Sequence, residues 1–205
     1  MNPHDTLTSI ENRVRSCQLC ALGEMRKNAV PGAGRSDADI MLIGEGPGYH
    51  EDKKGLPFVG AAGKLLDELL AGIGLNREDV YITNVLKCRP PGNRDPQPEE
   101  IDACRAYLDG QIELIDPRVI VTLGRFSMAR WFPGVRISDI HGQPKRIGAR
   151  MVVPMFHPAA ALHQPKYRPL LHQDFKQLPG FIAQLQVEGG PEATAEQPPE
   201  QLSLL

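Results

Sequence analysis

The sequence predicts an α/β fold: three layers, α/β/α, around a central four-stranded parallel sheet. Two observations carry this expectation. Short apolar runs alternate with longer amphipathic stretches, as strands joined by crossover helices do. Glu45, Asn84, Gly124 and His157 fall at or near the ends of those runs, where α/β sheets place their sites. A chain of 205 residues is long enough for one substantial core.

The elements follow in order. Residues 5–16 form a short helix leading to Cys17. Residues 39–44 read as a buried strand that ends in a loop rich in Gly and Pro, running through Gly60. Residues 61–74 form an amphipathic helix with Leu65, Leu66, Leu69 and Leu70 on one face. Residues 80–86 are a second strand, 90–98 a Pro-rich loop and 99–115 a second helix. A β-branched strand, 118–123, ends at Gly124 and is followed by a helix of about eight residues carrying Trp131. Residues 151–156 are the fourth strand, and 167–186 the last helix, interrupted near Pro179. From Val187 onward Gly, Pro, Glu and Gln dominate, which reads as a disordered acidic tail. The expected organisation is a domain over 1–186 and a tail over 187–205.

Apolar residues make up 41% and charged residues 23%, ordinary for a globular protein. No apolar run is long enough to cross a bilayer, and the first residues lack the core of a secretory signal. A cytoplasmic location is expected. Net charge is −2, but no Lys or Arg follows Lys176, while Glu188, Glu192, Glu196 and Glu200 lie in the last 18 residues. Setting those four aside turns −2 into +2, so the body is mildly basic. The four cysteines are Cys17, Cys20, Cys88 and Cys104. A reducing compartment argues against disulfides, and Cys17-x-x-Cys20 is a usual thiolate pair of a metal site. Four thiolates suit either tetrahedral zinc or an iron–sulfur cluster.

Gly44-Glu-Gly-Pro-Gly48 does not match G-x-G-x-x-G, and Gly60-Ala-Ala-Gly63-Lys64-Leu65 lacks the features of a P-loop. A nucleotide phosphate site is disfavoured. The same segment, with Glu51-Asp52 and Gly55-Leu-Pro57-Phe58-Val59-Gly60-x-x-Gly63-x-Leu65-Leu66, resembles the first motif of the family 4 uracil-DNA glycosylases. Thr83-Asn84-Val-Leu-Lys87-Cys88-Arg89-Pro90-Pro91-x-Asn93-Arg94 is similar to their second block, and Phe156-His157-Pro158-Ala159 to the superfamily's late histidine motif. The cysteine placement fits as well. The resemblance runs from about Cys17 to Leu178.

The resemblance implies a monofunctional enzyme that hydrolyses the N-glycosidic bond of flipped-out deoxyuridine in double- or single-stranded DNA and so initiates base excision repair. It implies a structural [4Fe-4S] cluster on Cys17, Cys20, Cys88 and Cys104. Phe58 stacks on the base, and Asn84 reads the uracil edge at N3–H and O4. His157 donates to O2 as charge develops there, and Glu45 handles the attacking water or the cationic sugar. The Gly46 backbone helps position base or water. Lys87, Arg89, Arg94, Lys166 and Arg168 are candidates for phosphate contact, and Leu162 or His163 for the wedge that fills the vacated site.

Two departures matter. Other branches place a bulky aromatic in the first motif to exclude thymine, whereas Gly48 and Tyr49 stand here. The loop Arg89-Pro-Pro-Gly-Asn-Arg94 lacks the reactive His of a sister branch that traps DNA covalently. The C-terminal Gln201, Leu202, Ser203, Leu204 and Leu205 resemble the short peptide with which bacterial proteins dock on the replicative sliding clamp. A monomer is the simplest expectation. The competing readings are a non-catalytic DNA-binding module and a zinc-stabilised nucleotide-binding protein.

Overall fold

A computed structural model describes residues 6–188. Helices α1 (Leu7–Arg15) and α2 (Leu22–Met25) come first. Strand β1 (Ala33–Gly34) precedes β2 (Ile40–Gly44), α3 (Tyr49–Lys54) and α4 (Ala61–Ala71). Then come β3 (Tyr81–Asn84), α5 (Pro98–Ile115), β4 (Val119–Leu123), α6 (Arg125–Met128) and α7 (Ile137–Ile140). Strands β5 (Lys145–Ile147) and β6 (Arg150–Met155) lead to α8 (Pro158–His163), α9 (Tyr167–Lys176) and α10 (Leu178–Glu188). Helix α10 carries the ordered chain past residue 186. The remainder of the expected tail, with the clamp-type peptide Gln201 to Leu205, lies outside the described residues. No described helix is long and apolar enough to cross a membrane.

The sheet has six strands in the order β1-β3-β2-β4-β6-β5. The four expected strands, β2, β3, β4 and β6, form its parallel centre. The short β1 and β5 add antiparallel edges. Strand β1 is too short to show a hydrophobic period, and β5 is a charged edge of the kind that resists further pairing. The helix expected to carry Trp131 is shorter than foreseen. It stops at Met128, and Pro133-Gly134 soon follows.

Every residue of β2 and β4 is buried, as both faces are covered. Ile40 and Leu42 pack with Leu65, Leu66, Leu69 and Leu70 of α4 and with Phe175 of α9. Met41 and Ile43 face the other way, onto Leu108, Ile112 and Ile115 of α5. Burying such a side chain stabilises the fold by about 1.5–3 kcal/mol. The helices that follow β2 and β3 thus lie on opposite faces. That reversal opens a crevice beyond the carboxyl ends of the strands.

Candidate active site

In that crevice lies a cavity of about 180 Å³ lined by Glu45, Gly46, Phe58, Asn84 and His157, with Glu51, Asn93 and Arg94 in its wall. It is smaller than the roughly 300–1,000 Å³ of drug-sized sites, a volume suited to one small heterocycle. The sequence names the first five, and the fold brings all five together. Glu45 and Gly46 follow β2, Asn84 ends β3, and His157 follows β6 as the N-cap of α8.

Phe58 is held in an unusual backbone conformation, with φ of 52°, which is strained for a bulky residue. Two side chains hold the loop. Arg77 donates to Phe58 O at 2.9 Å and to Pro57 O at 2.6 Å, while pairing with Asp67 at 2.9 Å. Glu51 accepts from the N–H groups of Val59 (2.8 Å), Gly60 (2.9 Å) and Gly48 (3.2 Å). Close packing finishes the arrangement. A Cβ on Gly44 would sit 2.3 Å from Asn84 Oδ1 and 2.7 Å from the Phe58 ring, so only glycine lets both approach. Motif spacing gives no sign of Arg77, because its partners are backbone carbonyls about twenty residues away.

Asn84 is 2% exposed, and its Oδ1 has no hydrogen-bond partner. A buried carbonyl oxygen left unpaired costs about 1–3 kcal/mol, so it awaits a donor. The His157 ring lies 5.5 Å from that of Phe58, centroid to centroid, at 23°. Its Nδ1 accepts from Ala159 N–H at 3.1 Å. That bond assigns the neutral ring's proton to Nε2, making Nε2 a donor. Burial pushes the His157 pKa down to about 4, with the Glu51 carboxylate pulling weakly the other way. Burial raises the Glu45 pKa and Asp95 adds to the effect, while Arg125 opposes it. Arg125 and Asp95 form an ion pair with each other. The pocket therefore combines an aromatic face, an unpaired acceptor, a neutral donor and a carboxylate.

The candidate cations divide. Lys87, expected to contact phosphate, does not reach the surface. It is 1% exposed, and its Nζ donates to Thr83 Oγ1, Asn84 O and Gln111 Oε1 at 2.6, 2.9 and 2.7 Å. Arg89 is half-buried, donating to Asn93 Oδ1 at 2.7 Å beneath the exposed Tyr49 ring. Arg94 makes a two-point contact with Glu100 at 3.0 and 2.6 Å. Lys166 is exposed over the Tyr167 ring, and Arg168 is exposed and paired with Glu68 at 2.5 Å. Leu162 and His163 are exposed at the end of α8.

Cys17, Cys20, Cys88 and Cys104 line one small cavity with Arg26, Lys87 and Tyr107. Arg26 Nη1 donates to Cys88 Sγ at 3.0 Å. Burial raises both the Cys88 thiol and the Cys104 thiol, the latter to about 11. Among the described residues, no three His, Cys, Asp or Glu side chains form a group that could hold a metal ion.

Comparison with known proteins adds an independent line. The family model described as the uracil DNA glycosylase superfamily matches residues 31–178. The chain is 49% identical over 187 residues to the type-4 uracil-DNA glycosylase of Sulfurisphaera tokodaii, covering 85% of this chain and 84% of the relative. It is 50% identical over 184 residues to the Saccharolobus solfataricus type-4 enzyme, covering 85% of each. With the Archaeoglobus fulgidus type-4 enzyme it shares 49% over 183 residues, covering 85% of this chain and 92% of the relative.

Proposed function

The chain belongs to the uracil-DNA glycosylase superfamily, and on that premise we propose that it hydrolyses the N-glycosidic bond of deoxyuridine in DNA as a type-4 enzyme. A base inside a duplex must be extruded before that bond is reached. The extruded uracil stacks on Phe58, a contact worth about 1–3 kcal/mol. The Asn84 carboxamide takes its edge, Oδ1 accepting from N3–H. Cytosine has no N3–H, so it would leave a buried acceptor unpaired, and such a site discriminates strongly.

Bond cleavage puts negative charge on uracil O2 and positive charge on the sugar. His157 Nε2–H is the preorganised donor to O2. Its low pKa keeps the ring neutral, so it stabilises the oxyanion by hydrogen bonding rather than by proton transfer. Glu45, once ionised, orients the attacking water and offsets the cationic sugar. The Gly46 backbone helps hold the base or the water. Arg89, Arg94, Lys166 and Arg168 are the candidates for phosphate contact, and the exposed Leu162 or His163 for the wedge.

Four thiols lining one cavity suit either tetrahedral zinc or an iron–sulfur cluster, and the likeness to type-4 enzymes is what favours the cluster. Tetrahedral zinc draws its ligands to about 2.3 Å from one point. Here the four thiols surround a common space. Cys17, Cys20, Cys88 and Cys104 would hold [4Fe-4S], and Arg26 would hydrogen-bond the Cys88 sulfur. Such a cluster supplies cross-linking here, tying the segment before β1 to the chain after β3.

One observation carries the functional reading most directly: the unpaired Asn84 Oδ1 shares its pocket with His157 and Glu45. The test is an oligonucleotide with a single uracil, followed by alkaline cleavage at the abasic site. Strand scission at the uracil is expected. Intact strands after incubation with folded holoprotein would refute the reading.

A further inference from the structure

Lys87 is a buried lysine that the reaction described above does not use. Taking an ammonium out of water costs several kcal/mol unless its protons are all engaged. Here all three are, by Thr83 Oγ1, Asn84 O and Gln111 Oε1. None of these acceptors is a carboxylate; the ionisable groups that act on Lys87 are Cys104 and Cys88, whose cavity it also lines.

The network around Lys87 presents acceptors to it on three sides. Gln111 Nε2 donates to Pro31 O at 2.8 Å and to Tyr81 Oη at 3.1 Å, which leaves its Oε1 facing the lysine. Thr83 Oγ1 can donate to Pro31 O at 2.8 Å or to Gln111 Oε1 at 3.2 Å, and either choice leaves a lone pair for Nζ. Asn84 is the last residue of β3, opposite Gly44. Beyond it, Val85 N–H and Leu86 N–H bond to Gly44 O and Glu45 O, each at 3.0 Å. Asn84 O is thus anchored by the ammonium while the neighbouring peptides are anchored on β2. Between those anchors the Asn84 backbone is fixed, and with it the point from which the carboxamide projects, packed against Gly44 and Phe58.

We propose that Lys87 is a positioning residue for base recognition: through Asn84 O and Thr83 it fixes the carboxamide of Asn84 at the edge of the extruded base. This rests on the uracil reading of the pocket. It also explains why a lysine beside the expected DNA path is turned inward.

A double-mutant cycle on the holoprotein tests it, using single-turnover release of uracil. Lys87→Met should slow release on the order of 10- to 100-fold when Asn84 is present. In the Asn84→Ala background it should slow release by less than about threefold, because the group being positioned is gone. The salt dependence of DNA binding should be unchanged by Lys87→Met. Equal slowing in both backgrounds would overturn the proposal, since a general structural role does not depend on Asn84. A salt slope reduced by about 1 would also overturn it, returning Lys87 to phosphate contact. If Lys87→Met does not fold, Thr83→Val removes one acceptor and takes its place in the cycle. It should slow release by about three- to tenfold with Asn84 and less than about twofold without it, and equal effects overturn the proposal. No uracil release by the wild type would sink the functional reading itself, and this proposal with it. Wild-type release with equal effects sinks the proposal alone.

Discussion

The base pocket and the cysteine cavity are neighbours, joined by the short stretch from Asn84 to Cys88, yet they are held in different ways. The pocket is held by the protein's own bonds: Arg77 and Glu51 on the backbone of the Phe58 loop, Ala159 on the His157 ring, Lys87 on the Asn84 backbone carbonyl. The cysteine cavity has fewer bonds of its own: a small cluster of Leu22, Leu86, Cys88 and Cys104, with Arg26 donating to Cys88 Sγ, the Lys87 backbone N–H to Cys104, and Tyr107 hydrogen-bonded to Cys17. The difference teaches that the pocket is preformed for chemistry, whereas the expected cluster would add a cross-link to a Cys17–Cys20 segment held by fewer bonds of its own.

The sharpest way to break this contrast is at His157. His157→Leu should lower kcat on the order of 10²- to 10³-fold and leave the melting temperature within about 3 °C. Next in size is the pH dependence. Glu45 has a raised pKa and His157 a lowered one, near 4. On acidification Glu45 therefore protonates first. The rate should fall along a single acid limb with a midpoint above 4.5, and that limb should vanish in Glu45→Gln. Stability follows its own sign. An unfolded His157 gains its proton near 6.5 and the folded ring only near 4. This contribution is intact above pH 6.5 and is lost as pH falls from there to 4. Denaturant melts of wild type and His157→Leu at both ends of that window check it.

Cys17→Ala should do the reverse of His157→Leu. The melting temperature should drop on the order of 10 °C, while release per folded enzyme stays within about threefold. A smaller effect is expected from Arg77→Met, about tenfold in kcat/KM, as the Phe58 loop relaxes from its strained conformation. The smallest is Arg168→Ala. It should lower the salt slope of DNA binding by about 1 and leave single-turnover release unchanged.

The parallel centre of the sheet is legible in the sequence because β2, β4 and β6 are apolar on both faces. Strands β1 and β5 are not, since two or three residues cannot display a period. The five pocket residues are legible because each lies within a recognisable block, and all but Phe58 sit beside a strand end. What holds them is not. Arg77 acts on backbone carbonyls that no side-chain pattern reports, and the left-handed turn at Phe58 leaves no compositional trace. Lys87 is the instructive error: sequence gives its charge but not its depth, and an ammonium among arginines reads as a phosphate ligand until its acceptors are seen.

The most direct test of the contrast measures melting temperature and single-turnover uracil release on the same preparations of wild type, His157→Leu and Cys17→Ala. The account predicts a crossed result: rate lost with stability kept for His157→Leu, stability lost with rate per folded enzyme kept for Cys17→Ala. Rate and stability falling together in both variants would contradict it.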